Sequence, residues 1–136
     1  MTVIVTDSGF GADDWVGGFI ALEDRAANTC KYAIDLASDT APDALTGLEN
    51  APMIRIDFPS FADGRGFTLA AMLRRAGFQG RLRARGHVIA DQYAMARRSG
   101  FDEVEIDDDL AARQPQDQWL ARADWQDHNY QARMRG

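Results

Sequence analysis

The sequence predicts an α/β fold of mostly parallel βα units, with helices on one face of a curved sheet, like part of a βα barrel. Two observations carry that prediction. "RRAGF" (Arg74–Phe78) recurs as "RRSGF" (Arg97–Phe101), and each copy closes a helical stretch just before a strand. Two successive helix-to-strand units of similar length are the mark of parallel βα architecture. Four candidate strands also alternate apolar and charged residues, whereas a parallel strand covered by helices on both faces reads as a continuous apolar run. An open doubly wound sheet is the alternative.

Taken in order, "MTVIV" at the N-terminus reads as a short strand and "VGGFIAL" (Val16–Leu22) as a second. The loop "TDSGFGADDW" between them holds two glycines without GxGxxG spacing, so a dinucleotide site is not expected. Strands follow over Lys31–Ala37, Met53–Phe58, Arg81–Arg85 and Glu103–Asp107, and helices over Pro42–Leu48, Phe67–Ala76, Val88–Ser99 and from Asp109 onward. In the helix from Phe67, Leu69, Met72, Leu73 and Ala76 form an apolar stripe, with Arg74 and Arg75 pointing away. The next helix has its stripe at Val88, Ile89, Gln92, Tyr93 and Ala96; Gln92 is the odd member, and its amide is expected to bond loop backbone near the DGRG turn. In both repeats the glycine suits left-handed backbone after a helix, the Phe packs back on the last turn, and the arginines suit the negative helix end. "DDD" (Asp107–Asp109) reads as a helix N-cap rather than a metal cluster. Beyond Pro115 the chain is polar, with Trp119, Trp125 and Tyr130 along it.

One domain over 1–136 accommodates all this: an N-terminal segment 1–29, a βα core 30–114 and a polar tail 115–136. A chain of that size buries roughly two-thirds of its unfolded surface, enough for a core.

The alternation has a physical consequence. Ile54, Ile56 and Phe58 oppose Arg55 and Asp57; Leu82 and Ala84 oppose Arg81, Arg83 and Arg85; Val104 and Ile106 oppose Glu103, Glu105 and Asp107. Burying such charges unpaired would cost several kcal/mol each. The second face is therefore wet, internally paired, or docked on something polar. An ion-pair ladder is expected for Arg55, Arg81, Arg83, Glu103 and Glu105, with Asp57 reaching Arg83 or Arg85 across strands.

Composition narrows the function classes. A net charge of −6 argues against a nucleic-acid partner. One cysteine, Cys30, excludes an internal disulfide, and two histidines are too few for a His-based zinc site. Cys30 has only Lys31 beside it and no GxSxG elbow exists, so nucleophilic catalysis is not indicated. No cofactor or metal is expected. No run reaches the roughly 20 apolar residues of a membrane span, no signal-peptide pattern opens the chain, and the cytoplasm is the expected location.

A parallel sheet delivers the carboxyl ends of its strands to one rim, where ligands usually bind. There the sequence gathers Ser38, Asp39, Asp57, the loop "DGRG" (Asp63–Gly66), Arg85, Gly86, His87 and Asp107. The ligand-binding candidates are Asp57, Asp63, Gly64, Arg65, Gly66, Arg85, His87, Asp91 and Gln92. Arg65 and Arg85 supply forked donors for an oxyanion, the glycines allow close approach, and His87 with Asp91 reads as a base and its orienter. The bland reading of the loop is a Gly-rich turn with Asp63 bonding its own backbone.

The string "IDFPSFADGRGFTLAAMLRRAGFQGRLRARGHVIADQYAMARRSGFDEVEI" resembles the bacterial domain-of-unknown-function 934 family, whose core runs D-F-P-x-F-x-D-G-R-G, then a Leu-Arg helix, an L-R-A-x-G strand end, D-Q and G-F-D. The "NYQ" of the tail is similar too. The matching positions are Asp57, Phe58, Pro59, Phe61, Asp63, Gly64, Arg65, Gly66, Arg83, Gly86, Asp91 and Gln92. His87, Arg81 and Ser99 depart from the family's usual Asp, Glu and Cys. Members are typically encoded beside assimilatory sulfite reductase and are often labelled oxidoreductases. The resemblance thus implies a role in sulfite reduction, in partnership with sulfite reductase or a related sulfate-assimilation enzyme. Two further readings come from the residues: a small enzyme or carrier binding an oxyanion at the rim, and a homodimer whose charged faces pair.

Overall fold

The computed structural model describes residues 2–22, 32–45, 47–48, 51–123 and 125. The expected strand at Lys31 begins later, and Cys30, Tyr130 and the "NYQ" motif lie outside the described residues. Seven strands form one open sheet: β1 (Thr2–Thr6), β2 (Gly9–Gly11), β3 (Phe19–Ala21), β4 (Ala33–Leu36), β5 (Met53–Phe58), β6 (Arg81–Gly86) and β7 (Glu103–Asp107), in the order β2-β1-β7-β6-β5-β4-β3. β3 to β7 are mutually parallel. β1 is antiparallel to β7 and to β2, so it alone runs against the rest.

Among the described residues the α-helices are α1 (Arg65–Arg75), α2 (Tyr93–Ser99), α3 (Asp108–Arg113) and α4 (Gln116–Leu120). All four contribute to one apolar cluster with the inner faces of the strands, among them Ile54, Ile56, Phe58, Leu82, Val104 and Ile106. The helices therefore share one side of the sheet. Helices on one face of an open, mostly parallel sheet are the architecture expected first; among the described residues no helix covers the other face, as the doubly wound alternative would require.

The expected helix over Pro42–Leu48 is a single 3-10 turn at Pro42–Leu45, and the one over Val88–Ser99 opens with a 3-10 turn at Ala90–Gln92. Both repeats end as expected. Gly77 and Gly100 have φ of +103° and +117°, and Phe78 N–H and Phe101 N–H donate to Leu73 and Ala96 carbonyls. These are Schellman closures, with each Phe buried behind its helix.

Arg74 does not simply point away. Its guanidinium donates to the carbonyls of Phe78, Gly80 and Gly100, and Arg97 repeats the motion onto the Phe101 carbonyl. The first arginine of each repeat thus stitches its own helix exit, and Arg74 also ties the two exits together.

β2 lies within the stretch expected to be loop, because three Gly-rich residues carry no period-two signal. Its presence changes how the charged face is covered. β2 and β3 occupy opposite edges of the sheet, so residues 12–18 cross that face from one edge to the other. Seven strands at about 4.8 Å spacing set the edges about 29 Å apart if flat. Eight extended steps reach about 28 Å, so this strap has little slack.

Candidate functional site

The charged face is an ion-pair ladder built in rows across the strands. Residues of adjacent strands share rows because parallel register aligns Arg55 with Arg83, Asp57 with Arg85, Arg83 with Glu103, and Arg85 with Glu105. Arg83 is fully buried; its Nε donates to Glu103 at 2.5 Å and its Nη1 to Glu105 at 2.8 Å. Arg55 binds Asp35 through Nε and Nη2 at 2.6 and 2.8 Å and reaches Glu105 at 3.1 Å. Arg81 joins Glu103 at 2.7 Å.

The strap completes the ladder. Asp13 accepts both terminal nitrogens of Arg83, at 3.2 and 3.0 Å, and Asp14 accepts Arg81 at 2.8 Å. The Phe19 ring lies 3.6 Å from the Arg55 guanidinium carbon. Burial works against the charge on Arg83, but Asp13, Glu103 and Glu105 outweigh it and raise its pKa above the ordinary arginine value. Burial likewise pushes Asp13 up, yet donation from Arg83 and from the Trp15 N–H leaves it below the usual carboxylate range. Among the described residues every buried side-chain nitrogen and oxygen has a hydrogen-bond partner. The expected ladder is present, and its face is paired within the chain.

At the rim, the DGRG loop is a self-contained knot. Arg65 grips Asp63 with Nε at 3.0 Å and Nη2 at 2.9 Å, while its own N–H donates to the same carboxylate. Ser38 adds a hydroxyl at 2.7 Å. Donation from Arg65, first of all, and from Ser38 holds the Asp63 carboxyl far below the usual range. Gly66 has a packing reason, since a Cβ there would come within 2.4 Å of the Phe58 ring. Gly64 has none; a Cβ would meet nothing within 4 Å.

His87 and Asp91 turn to different partners. Asp91 binds Arg122 at 2.9 Å, and His87 sets Nδ1 3.3 Å from the Phe58 carbonyl with its ring edge-on to Phe61. Arg122 and Phe58 lie on separate elements, so the expected dyad is not assembled. Gln92 behaves as expected: Nε2 donates to the Phe61 carbonyl at 2.9 Å and Oε1 accepts the Ile89 N–H. Asp107 caps α3 by accepting the Leu110 N–H.

Asp57 and Arg85 sit beside each other at the end of β5 and β6, as the register predicts, but loosely. Their closest approach is 3.6 Å, and Arg85 Nε stands 3.4 Å from Glu105. The two side chains line two adjoining clefts. One, of about 250 Å³, also takes in Thr2, His87, Glu105 and Asp107; the other, of about 260 Å³, takes in Asp35 and Arg55. The rim thus divides into a closed knot at Asp63–Arg65 and an open cleft at Asp57–Arg85. Arg65 and Arg85 are engaged by separate acids rather than brought together as one anion fork.

A family model for a bacterial protein of unknown function, DUF934, matches residues 33–136. The chain belongs to that family. The DUF934 match spans the DGRG knot, both helix exits and β4 to β7, while β1, β2, the strap and β3 precede it. No curated protein and no solved structure gives a match.

Sequence reasoning missed one further cluster. Asp7, in the turn after β1, accepts the buried Tyr93 hydroxyl, Arg97 and the Trp125 indole. Burial pushes Asp7 up, but those three donors together leave it below the usual range. Burial and the facing Asp7 carboxylate push Tyr93 well above an ordinary phenol. The partners lie more than eighty residues apart in sequence, so no local pattern marks them. The cluster pins the N-terminal turn to α2 and the chain beyond α4.

Proposed function

We propose that the chain is a non-catalytic accessory of assimilatory sulfite reduction, acting in the cytoplasm beside a sulfite reductase that carries the redox groups. The observation that supports this most is the engagement of its acid–base side chains. An efficient general acid or base has a pKa near the working pH. Asp63 is held far below that range by Arg65 and Ser38, and His87 and Asp91 do not meet. Difficult electron chemistry is normally carried by a cofactor, and an accessory leaves it to its partner. The link to sulfite comes from the family, whose members are typically encoded beside the reductase.

A plain oxyanion site on Arg65 and Arg85 has weaker support. Arg65 is taken by Asp63, and Asp57, Glu105 and Asp107 flank Arg85. A homodimer through the charged faces has weaker support as well, because the strap lies across that face.

Deleting the gene tests the role. Growth on sulfate and on sulfite is expected to fall, with cysteine restoring it, and the tagged protein is expected to retain the reductase on purification. Undiminished growth on both sulfur sources, or a flavin or haem spectrum in the purified chain, would overturn this reading.

A further inference from the structure

The strap covers the charged face only as far as the Arg83 row. In the next row Glu105 is buried but Asp57 and Arg85 stay half exposed, and these two line both clefts at the rim. We propose that the cleft shared by Asp57, Arg85 and Asp107 binds a small zwitterion, with a carboxylate or sulfonate on Arg85 and an ammonium on the neighbouring Asp57.

Three observations converge on that chemistry. The first is the state of Arg85. The shortest approaches in the other ladder pairs run from 2.5 to 3.1 Å, but Arg85 meets its acids only at 3.4 and 3.6 Å and is 47% exposed. A guanidinium carries five N–H donors in a planar fork suited to a carboxylate or sulfonate, and these are largely unengaged.

The second is the acids around it. Glu105 is already held by Arg83 and Arg55, so it offers little charge to a ligand. Asp57 is 46% exposed with Arg85 as its ion-pair partner, and Asp107 uses Oδ1 for the α3 cap, leaving Oδ2. The third is the balance. One guanidinium faces two incompletely used carboxylates, so a lone anion would meet Asp57 and Asp107, and a lone cation would meet Arg85. A ligand bearing both charges satisfies both sides. A space of about 250 Å³ has ample room for a molecule the size of a small amino acid.

The proposal is independent of the sulfite reading, since growth phenotypes test that one and direct binding tests this one. Calorimetry and NMR titration of the full chain would use glycine and taurine as zwitterions, with sodium sulfate and methylammonium chloride as singly functional controls. Either zwitterion is expected to saturate in the millimolar range, with both controls about tenfold weaker or more. Arg85→Gln and Asp57→Asn should each weaken zwitterion binding about tenfold, as loss of a charge-assisted pair does. Arg75→Gln, exposed on α1 and outside the cleft, should leave it unchanged, and thermal melts would confirm that each variant is folded. No saturation by glycine or taurine at about 50 mM, sulfate binding tighter than taurine, or full affinity in both folded cleft variants would overturn the proposal.

Discussion

Arg83 and Arg85 stand two residues apart on one strand and face the same side of the sheet, yet Arg83 is fully buried while Arg85 is half exposed. The difference lies in what crosses over them. Arg83 sits under the strap, with Asp13 closing the last edge of its fork and Glu103 and Glu105 the others. Arg85 lies one row beyond the strap and keeps only long contacts. The same residue type on the same strand is thus a structural charge in one row and an available one in the next. Burial and partner count, not the arginine itself, set that role.

The comparison can be broken most sharply at Arg83. Arg83→Ala leaves Glu103, Glu105 and Asp13 without their shared cation, and breaking a buried pair in this way costs about 3–5 kcal/mol. Urea unfolding should show that loss as a lower midpoint; a change under about 1 kcal/mol would mean the pair is not buried in solution. Next comes the strap. Asp13→Ala strips one acid from a guanidinium that stays buried, for which about 1–3 kcal/mol is expected by the same measurement.

Gly66→Ala tests the knot by forcing a Cβ into the Phe58 ring, at about 1–3 kcal/mol. Gly64→Ala, with open space at that position, should fall within about 0.5 kcal/mol of wild type. Equal effects at the two glycines would sink the packing account of DGRG. The smallest change is expected at Arg85→Ala, within about 1 kcal/mol on stability, because exposed pairs contribute little.

Acid pH acts on the strap, the DGRG knot and the Asp7 cluster with a definite sign. Asp7, Asp13 and Asp63 have folded-state pKa values below the ordinary 3.8, so the unfolded chain takes up protons first. Their contribution is fully present above that value and drains away as pH falls through the lower folded values. Stability measured against pH should therefore be flat near neutrality and drop below about pH 4. Asp63→Asn should shallow that drop, and an unchanged slope would show that Asp63 is not linked to folding.

Much of this was legible in sequence because it rests on local or periodic signals. Alternation in "MIRIDF", "RLRARG" and "EVEID" fixes which side chains share a face, and parallel register then sets Asp57 beside Arg85. The Gly-Phe helix exits, the Asp107 cap and the Gln92 bond to the Phe61 carbonyl all follow from contacts near in chain or across one loop. His87 and Asp91 misled, because spacing of four suggests neighbours only on a regular helix, and here a 3-10 turn begins at Ala90.

By itself, then, the sequence determined a sheet with an oily and an ionic side, its βα order, and the acids and arginines that meet across strands. Those follow from period-two geometry and from the high cost of a buried unpaired charge. Tertiary structure alone decided that residues 12–18 run across the ionic side. Asp13 and Arg83 lie 70 residues apart, and only the placement of β2 and β3 on opposite edges brings them together. A three-residue strand has no period to read, so the choice of which arginine is sealed and which stays open was made by how the edges of the sheet were filled.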